Sequence, residues 1–230
     1  ADGFDEEGNF LGKASDVPDE NKDKGFIIDT TTTRLKSYQQ PELPKRFVSG
    51  STPDHLAERY LKWNRFGVIV AYTVLSESTL EISWHDASVH PVMTIDNSQS
   101  NYTLGDLSNV AVSLASRGTD VDPSELYVVY IAAWDQSSRD WKVSMNQGEI
   151  VDDVVIGNDF VAVLTSSCYI RTFSLAGTQR IVLSFSGVLV TACATSNELA
   201  LATYSGGYYF EGDADLLQYK LNLNIFKLNQ

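Results

Sequence analysis

From Phe47 onward, short apolar runs recur with polar breaks between them, and their length and residue types are those of β-strands. Gly67–Tyr72 is apolar and β-branched, and Thr79–Trp84 alternates polar with apolar positions. Val110–Leu114, Leu126–Ile131, Trp141–Met145, Phe160–Leu164, Tyr169–Phe173, Ile181–Phe185, Leu199–Thr203 and Leu216–Lys220 follow. Gly, Ser, Asn and Asp separate the runs, as turns require. No stretch after Trp63 has the spacing of an amphipathic helix. The pattern predicts an all-β domain.

Internal repetition narrows the architecture. Asn158–Ser166 (NDFVAVLTS) aligns with Asn197–Ser205 (NELALATYS) at an offset of 39 residues. In each copy two polar turn residues precede an apolar strand that ends in small hydroxyl residues. A second strand follows in both, and the later copy holds eight extra residues around Gly206-Gly207-Tyr208-Tyr209. An earlier copy begins at Asn64, and a weaker one surrounds Val110–Met145. A period of about 40 residues with about four short strands per unit is that of a β-propeller blade. About four blades fit between Phe47 and Gln230, the low edge of the usual range of about four to eight. The predicted fold is an all-β β-propeller with WD-repeat-like blades, an incomplete part of a larger ring. A single β-sandwich is the rival.

Charge divides the chain before Phe47. Residues 1 to 25 hold eight acidic residues, three lysines and four glycines, with few apolar side chains. Such a segment cannot bury enough surface to offset its ordering entropy and reads as a disordered acidic linker. Residues 34 to 65 reverse the sign, with seven basic residues against Glu42, Asp54 and Glu58. The basic residues are Arg34, Lys36, Lys45, Arg46, Arg59, Lys62 and Arg65. A charge run of this kind is commonly a solvated face; the sharper reading is a docking strip for an acidic partner. Residues 1–46 are thus an acidic, then basic, linker and lead-in, and residues 47–230 the blades. The whole chain carries 30 acidic and 17 basic residues, a net charge of −13, which disfavours broad binding to a phosphate backbone. No run reaches the roughly 18 apolar residues of a membrane helix, so no membrane partner is expected.

Candidate chemistry is sparse. His85 and His90 flank Asp86 and Ser88, but histidines five apart on a strand point to opposite faces. No cysteine lies near them to complete a zinc-ligand pattern. Glu81 with Asp86, or Glu149 with Asp152, could form the acid pair of a glycosidase. Glu149, Asp152 and Asp153 read instead as turn residues between strands. Trp63, Trp84, Trp134 and Trp141 suit the spaces between sheets. Cys168 and Cys193 lie in apolar runs and read as buried, unbridged thiols. The triplet Asn101-Tyr102-Thr103 is a glycosylation sequon of the kind that chance supplies. No phosphate-cradling glycine loop and no catalytic, metal or cofactor site is read here.

Three blocks resemble one family. Gly50-Ser51-Thr52-Pro53-Asp54-His55-Leu56 continues into Arg59–Asn64 and Gly67, and this resembles the start of the middle propeller, the SepB domain, of the minichromosome loss and acidic nucleoplasmic DNA-binding proteins. Glu81–His90 resembles that family's next strand and turn. Ile156–Ser166, with Arg171, Phe173, Gly177, Gln179 and Ser184–Gly187, resembles a third block. The resemblance spans roughly residues 47 to 206 and departs from the family at Ala176, Asp159-Phe160 and Val188. It implies a non-enzymatic replisome adaptor of the nucleus. It implies a homotrimer formed through the propeller, contact with the replicative helicase assembly (including GINS), and a link to DNA polymerase α–primase. That link runs through a helical bundle absent from this chain; the charge balance, rather than the resemblance, implies that contact with DNA is weak or indirect. The alternative from composition alone is a secreted carbohydrate-binding or glycoside-hydrolase β protein.

Overall fold

Alternation places successive side chains of a strand on opposite faces, and this chain uses both faces. The computed structural model describes residues 42–53, 55–88, 90–119, 121–131, 139–211 and 216–228. The acidic segment 1–25, Arg34, Lys36, Asp54 and Trp134 lie outside the described residues. Blade 1 is a four-stranded sheet of β1 (Glu58–Trp63), β2 (Gly67–Val74), β3 (Glu77–Trp84) and β4 (Met93–Asp96). Blade 2 holds β5 (Leu104–Leu107), β6 (Ala111–Ala115), β7 (Glu125–Tyr130) and β8 (Asp140–Ser144). Blade 3 holds β9 (Val151–Ile156), β10 (Phe160–Thr165), β11 (Tyr169–Ser174) and β12 (Gln179–Ser184). Blade 4 has three strands, β13 (Val188–Thr195), β14 (Glu198–Glu211) and β15 (Leu216–Lys227). Every pairing is antiparallel between neighbours in sequence.

Three apolar layers join the blades. Leu61, Ile69, Leu80, Ile82 and Trp84 of blade 1 meet Leu107, Val112 and Leu114 of blade 2. Ala111, Leu126 and Val128 of blade 2 meet Val154, Val161, Val163 and Phe173 of blade 3. Phe160, Ala162, Leu164 and Ile170 of blade 3 meet Leu189, Leu199 and Leu201 of blade 4. Strand β10 therefore faces blade 2 with Val161 and Val163, and blade 4 with Phe160, Ala162 and Leu164. A strand covered on both faces reads as a continuous apolar run, and β10 is buried at all six positions. Two sheets of a sandwich would bury it on one face only. First strands also approach each other across blades, β1 to β5, β5 to β9 and β9 to β13. Consecutive small sheets stacked with their first strands together are propeller blades.

The 39-residue repeat falls on β10 and β14, the second strands of adjacent blades. Turns of one kind precede the second strands, with Asn64 N donating to Gly67 O, Ser108 N to Ala111 O and Gly157 N to Phe160 O at 2.9–3.0 Å. Five strands had not stood out from the hydrophobic pattern: β1, β4, β5, β9 and β13. Four of these five open a blade. The reading of Asp152 and Asp153 as turn residues is corrected here, whereas Glu149 does close a turn, its N–H donating to Asn146 O at 3.0 Å. Asp152 and Asp153 belong to β9 and are buried, and Glu149 just before it is buried too. Cys168 and Cys193 are free thiols, but they are not buried: Cys168 is half-buried in the β10–β11 turn and Cys193 is exposed on β13.

Candidate functional site

The lead-in from Arg46 to Gly50 is fixed against the first strands of several blades. Phe47 N donates to Val190 O of β13 at 2.8 Å, and Gly50 N donates to Leu61 O of β1 at 2.9 Å. Ser49 donates to Asp153 Oδ1 of β9 through its backbone N–H (3.2 Å) and its hydroxyl (2.6 Å). Arg46 forms an ion pair with Asp152 of the same strand. Gly50 adopts φ +70 where it crosses the chain at Thr103, so close that a Cβ would collide with the Thr103 carbonyl. Only glycine supplies both that conformation and that approach.

These contacts frame a buried polar cluster at the first strands. Asp106 of β5 accepts from Ile156 N at Oδ2 (3.0 Å), and at Oδ1 from Leu107 N (3.0 Å) and Asn64 Nδ2 (3.3 Å). Lys62 of β1 reaches the same Oδ1 at 3.3 Å. Burial pushes the Asp106 carboxyl above the usual range, and Lys62 pulls it partly back. Among the described residues no cation forms an ion pair with Asp153. Burial raises its carboxyl to about 6, against the Ser49 hydroxyl, the more distant charge of Lys62 and the amides of Val154 and Ser49. Neither acid can act on a substrate, because both are sealed inside the fold.

The acids proposed as a glycosidase pair are occupied differently. Arg171 grips Glu149 with two parallel bonds, Nε to Oε1 at 2.8 Å and Nη2 to Oε2 at 2.7 Å. This arginine holds the Glu149 carboxyl below its ordinary value. Ser88 does the same for the exposed Asp86. A general acid needs the opposite shift. Among the described residues no cluster of three potential metal ligands occurs. His85 and His90 donate from Nε2 to the carbonyls of Asn64 (3.0 Å) and Asn109 (2.8 Å), clasping the turns that follow β1 and β5.

The basic stretch parts into three places. Lys62 turns into the buried cluster. Arg65, exposed after β1, lies over the Phe66 ring at 4.6 Å. Lys45, Arg46 and Arg59 come together along one cleft of about 1120 Å³ between the lead-in and the β4–β5 loop. Arg59 Nη2 donates to the carbonyls of Gly50 (3.2 Å) and Thr52 (3.1 Å), bracing the wall. Two further residues that the charge run does not include line the same cleft: His55, and Arg117 from the β6–β7 loop. Arg117 lies more than 50 residues from the strip in sequence, so no local charge run could reveal it. It also lines two adjoining clefts of about 780 and 440 Å³.

Comparison with known proteins follows the same boundaries. The sequence profile of the family described as minichromosome loss protein, Mcl1, middle region, matches residues 45–229. It runs past residue 206, where the resemblance read from the sequence stopped. "WD repeat and HMG-box DNA-binding protein 1" of Xenopus laevis is 37% identical over 209 residues, covering 89% of this chain and 18% of the relative. The Homo sapiens protein of the same name is 34% identical over 169 residues, 74% of this chain and 15% of the relative. "Protein ENHANCER OF LHP1 1" of Arabidopsis thaliana is 26% identical over 192 residues, 82% of this chain and 20% of the relative. The chain thus spans a fifth or less of the length of these relatives.

Proposed function

The chain belongs to the minichromosome loss protein family through its middle region, and from that premise we propose that it serves as a non-enzymatic scaffold in a replication adaptor. In this reading the blades form part of a propeller that self-associates as a homotrimer. The trimer contacts the replicative helicase assembly (including GINS) in the nucleus, and it works beside segments that reach DNA polymerase α–primase. The observation that carries the reading is the coincidence of the family match, residues 45–229, with a continuous stack of blades. Two further features support it. Among the described residues the carboxyls that are raised are sealed inside, so rigid faces rather than a reacting centre are what the fold presents. Exposed apolar side chains line β15, with Leu221, Leu223 and Ile225 each more than half exposed. A contiguous exposed apolar strip marks a surface for association.

The relatives' names include DNA binding, and we propose that this chain's own contact with DNA is weak or indirect. A net charge of −13 repels phosphates. Sedimentation equilibrium at about 10–50 μM, the range of weak specific contacts, tests the assembly. The expected mass is three times the 25.4 kDa monomer. A single monomeric species overturns the trimer.

A further inference from the structure

We propose that the cleft between the lead-in and the β4–β5 and β6–β7 loops is a docking site for an acidic peptide segment of a partner protein. The proposal takes from the adaptor reading only that the partner is a protein. Lys45 from the lead-in and Arg117 from the β6–β7 loop both line the cleft and are exposed, and so is His55. Among the described lining residues there is no carboxylate to neutralise them. In a chain of net charge −13 this is a local reversal of sign. A concave site lined by one sign of charge focuses the field and draws the opposite charge.

The cleft's shape and neighbours select the class of ligand. Its volume, about 1120 Å³, exceeds the roughly 300–1,000 Å³ of ordinary small-ligand sites. That leaves room for a short extended segment rather than one small anion. Its walls also carry Val48 and Pro53, which offer apolar contact beside the charges. A nucleic-acid strand needs a track of cations spaced along its phosphates. Here the next cation after Arg117, Lys142 in the adjoining cleft, is already paired with Glu125 at 3.0 Å, and the adjoining clefts also bring in Asp122 and Glu149. An acidic peptide carrying one or two apolar residues fits the interrupted pattern; a continuous polyanion meets repulsion on leaving the cleft.

Arg59 and Arg46 act behind this surface. Arg59 braces the wall through Gly50 and Thr52, and Arg46 is tied to Asp152. The lead-in that carries Lys45 is thereby fixed before a ligand arrives, which lowers the ordering cost of binding. Lys45 and Arg117 are the specificity-determining pair.

The test uses the whole 230-residue chain. A fluorescein-labelled dodecapeptide of Asp and Glu with two leucines is titrated by anisotropy, beside its Asn/Gln counterpart and a labelled DNA duplex of equal length. The expected Kd is on the order of 10–100 μM for the acidic peptide at low salt, rising steeply with salt. Lys45→Glu with Arg117→Glu should weaken it at least tenfold, and Lys220→Glu on the exposed side of β15 should leave it unchanged. Both altered side chains are exposed, and an unchanged urea midpoint verifies folding; the milder Lys45→Gln with Arg117→Gln pair should weaken binding part of the way. Absence of saturable binding, indifference to these changes, or tighter binding of the duplex each overturns the proposal. A trimer that ignores the peptide sinks this site alone, whereas a monomer that binds it sinks only the trimer.

Discussion

In blades 2 and 3 the second strands and the first strands are buried to the same degree by opposite chemistry. In blade 3, β10 reads FVAVLT and β9 reads VDDVVI, and all six positions of each are buried. In blade 2, β6 reads AVSLA and β5 reads LGDL, again buried throughout. The second strands are closed by apolar neighbours on two sides. The first strands close around carboxylates whose partners come from elsewhere in the chain, Ser49 to Asp153 across 104 residues and Ile156 to Asp106 across 50. Burial is thus not one property. An apolar position can be satisfied by any packed neighbour, but a buried carboxylate needs particular donors at particular places.

The largest effect should come from the second strands. Phe160 is almost fully buried between blades 3 and 4. Phe160→Ala removes the ring and leaves a cavity, for an expected loss of about 3–5 kcal/mol in urea denaturation. A loss below about 1 kcal/mol would mean that the layer collapses around the gap and that β10 is not a two-sided core strand.

The first strands should split between two acids that look alike in sequence. At Asp106 both carboxylate oxygens are used, Oδ2 by Ile156 N and Oδ1 by Leu107 N, Asn64 and Lys62. Asn in its place must turn an NH2 toward one of those donors, so Asp106→Asn should cost about 1–3 kcal/mol. At Asp153 the donors Ser49 N, Ser49 Oγ and Val154 N all converge on Oδ1. Asn keeps that oxygen, and it removes a charge that burial disfavours. The folded carboxyl is raised from 3.8 to about 6, so the folded state holds its proton more tightly than the unfolded chain. That contribution to stability is complete below about pH 4 and is lost as pH rises through about 6. Asp153→Asn should therefore change little at pH 4 and should stabilise by about 1–2 kcal/mol at pH 8, short of the roughly 3 kcal/mol that the full rise would represent. Equal losses for both substitutions at pH 8 would erase the distinction between the two acids.

The same division explains what could be seen in the sequence. Ten strands, the repeat and the blade architecture were legible because β2, β6, β7, β10 and their neighbours declare burial through apolar runs. Strands β5 and β9 were not, because Gly105, Asp106, Asp152 and Asp153 resemble turn residues until their partners are known. Three of the cleft's four Lys and Arg side chains were legible as the charge run holding Lys45, Arg46 and Arg59. Arg117 was not, since only the approach of the β6–β7 loop to the lead-in makes it a neighbour. Lys62 belongs to the same charge run, yet β1 directs it to Asp106 instead. Periodicity reports what a residue's own strand needs, and it is silent on side chains satisfied from another blade.

The smallest effect should lie at the outer strands, where charges meet in water. Arg180 of β12 donates from Nη1 to Asp159 Oδ2 in the β9–β10 turn at 3.1 Å. Its side chain is 38% exposed and that of Asp159 is 27% exposed, against 15% for Arg171 and 5% for Glu149 in the interior pair. Arg180 makes one bond to its partner, where Arg171 makes two. A long exposed side chain held by one contact gains little beyond the entropy it gives up. Arg180→Ala should therefore cost no more than about 0.5–1 kcal/mol at low salt. That cost should fade at high salt, as screening shortens from roughly 10 Å at 0.1 M to 3 Å at 1 M. The screening matters because it separates charge from packing: the arginine stem lies on β12 in either salt, so a loss that persists at 1 M belongs to the stem. A salt-independent loss above about 2 kcal/mol would show that the outer strands are held by desolvated charge as the first strands are, and the contrast between the axis and the rim of the blades would fail.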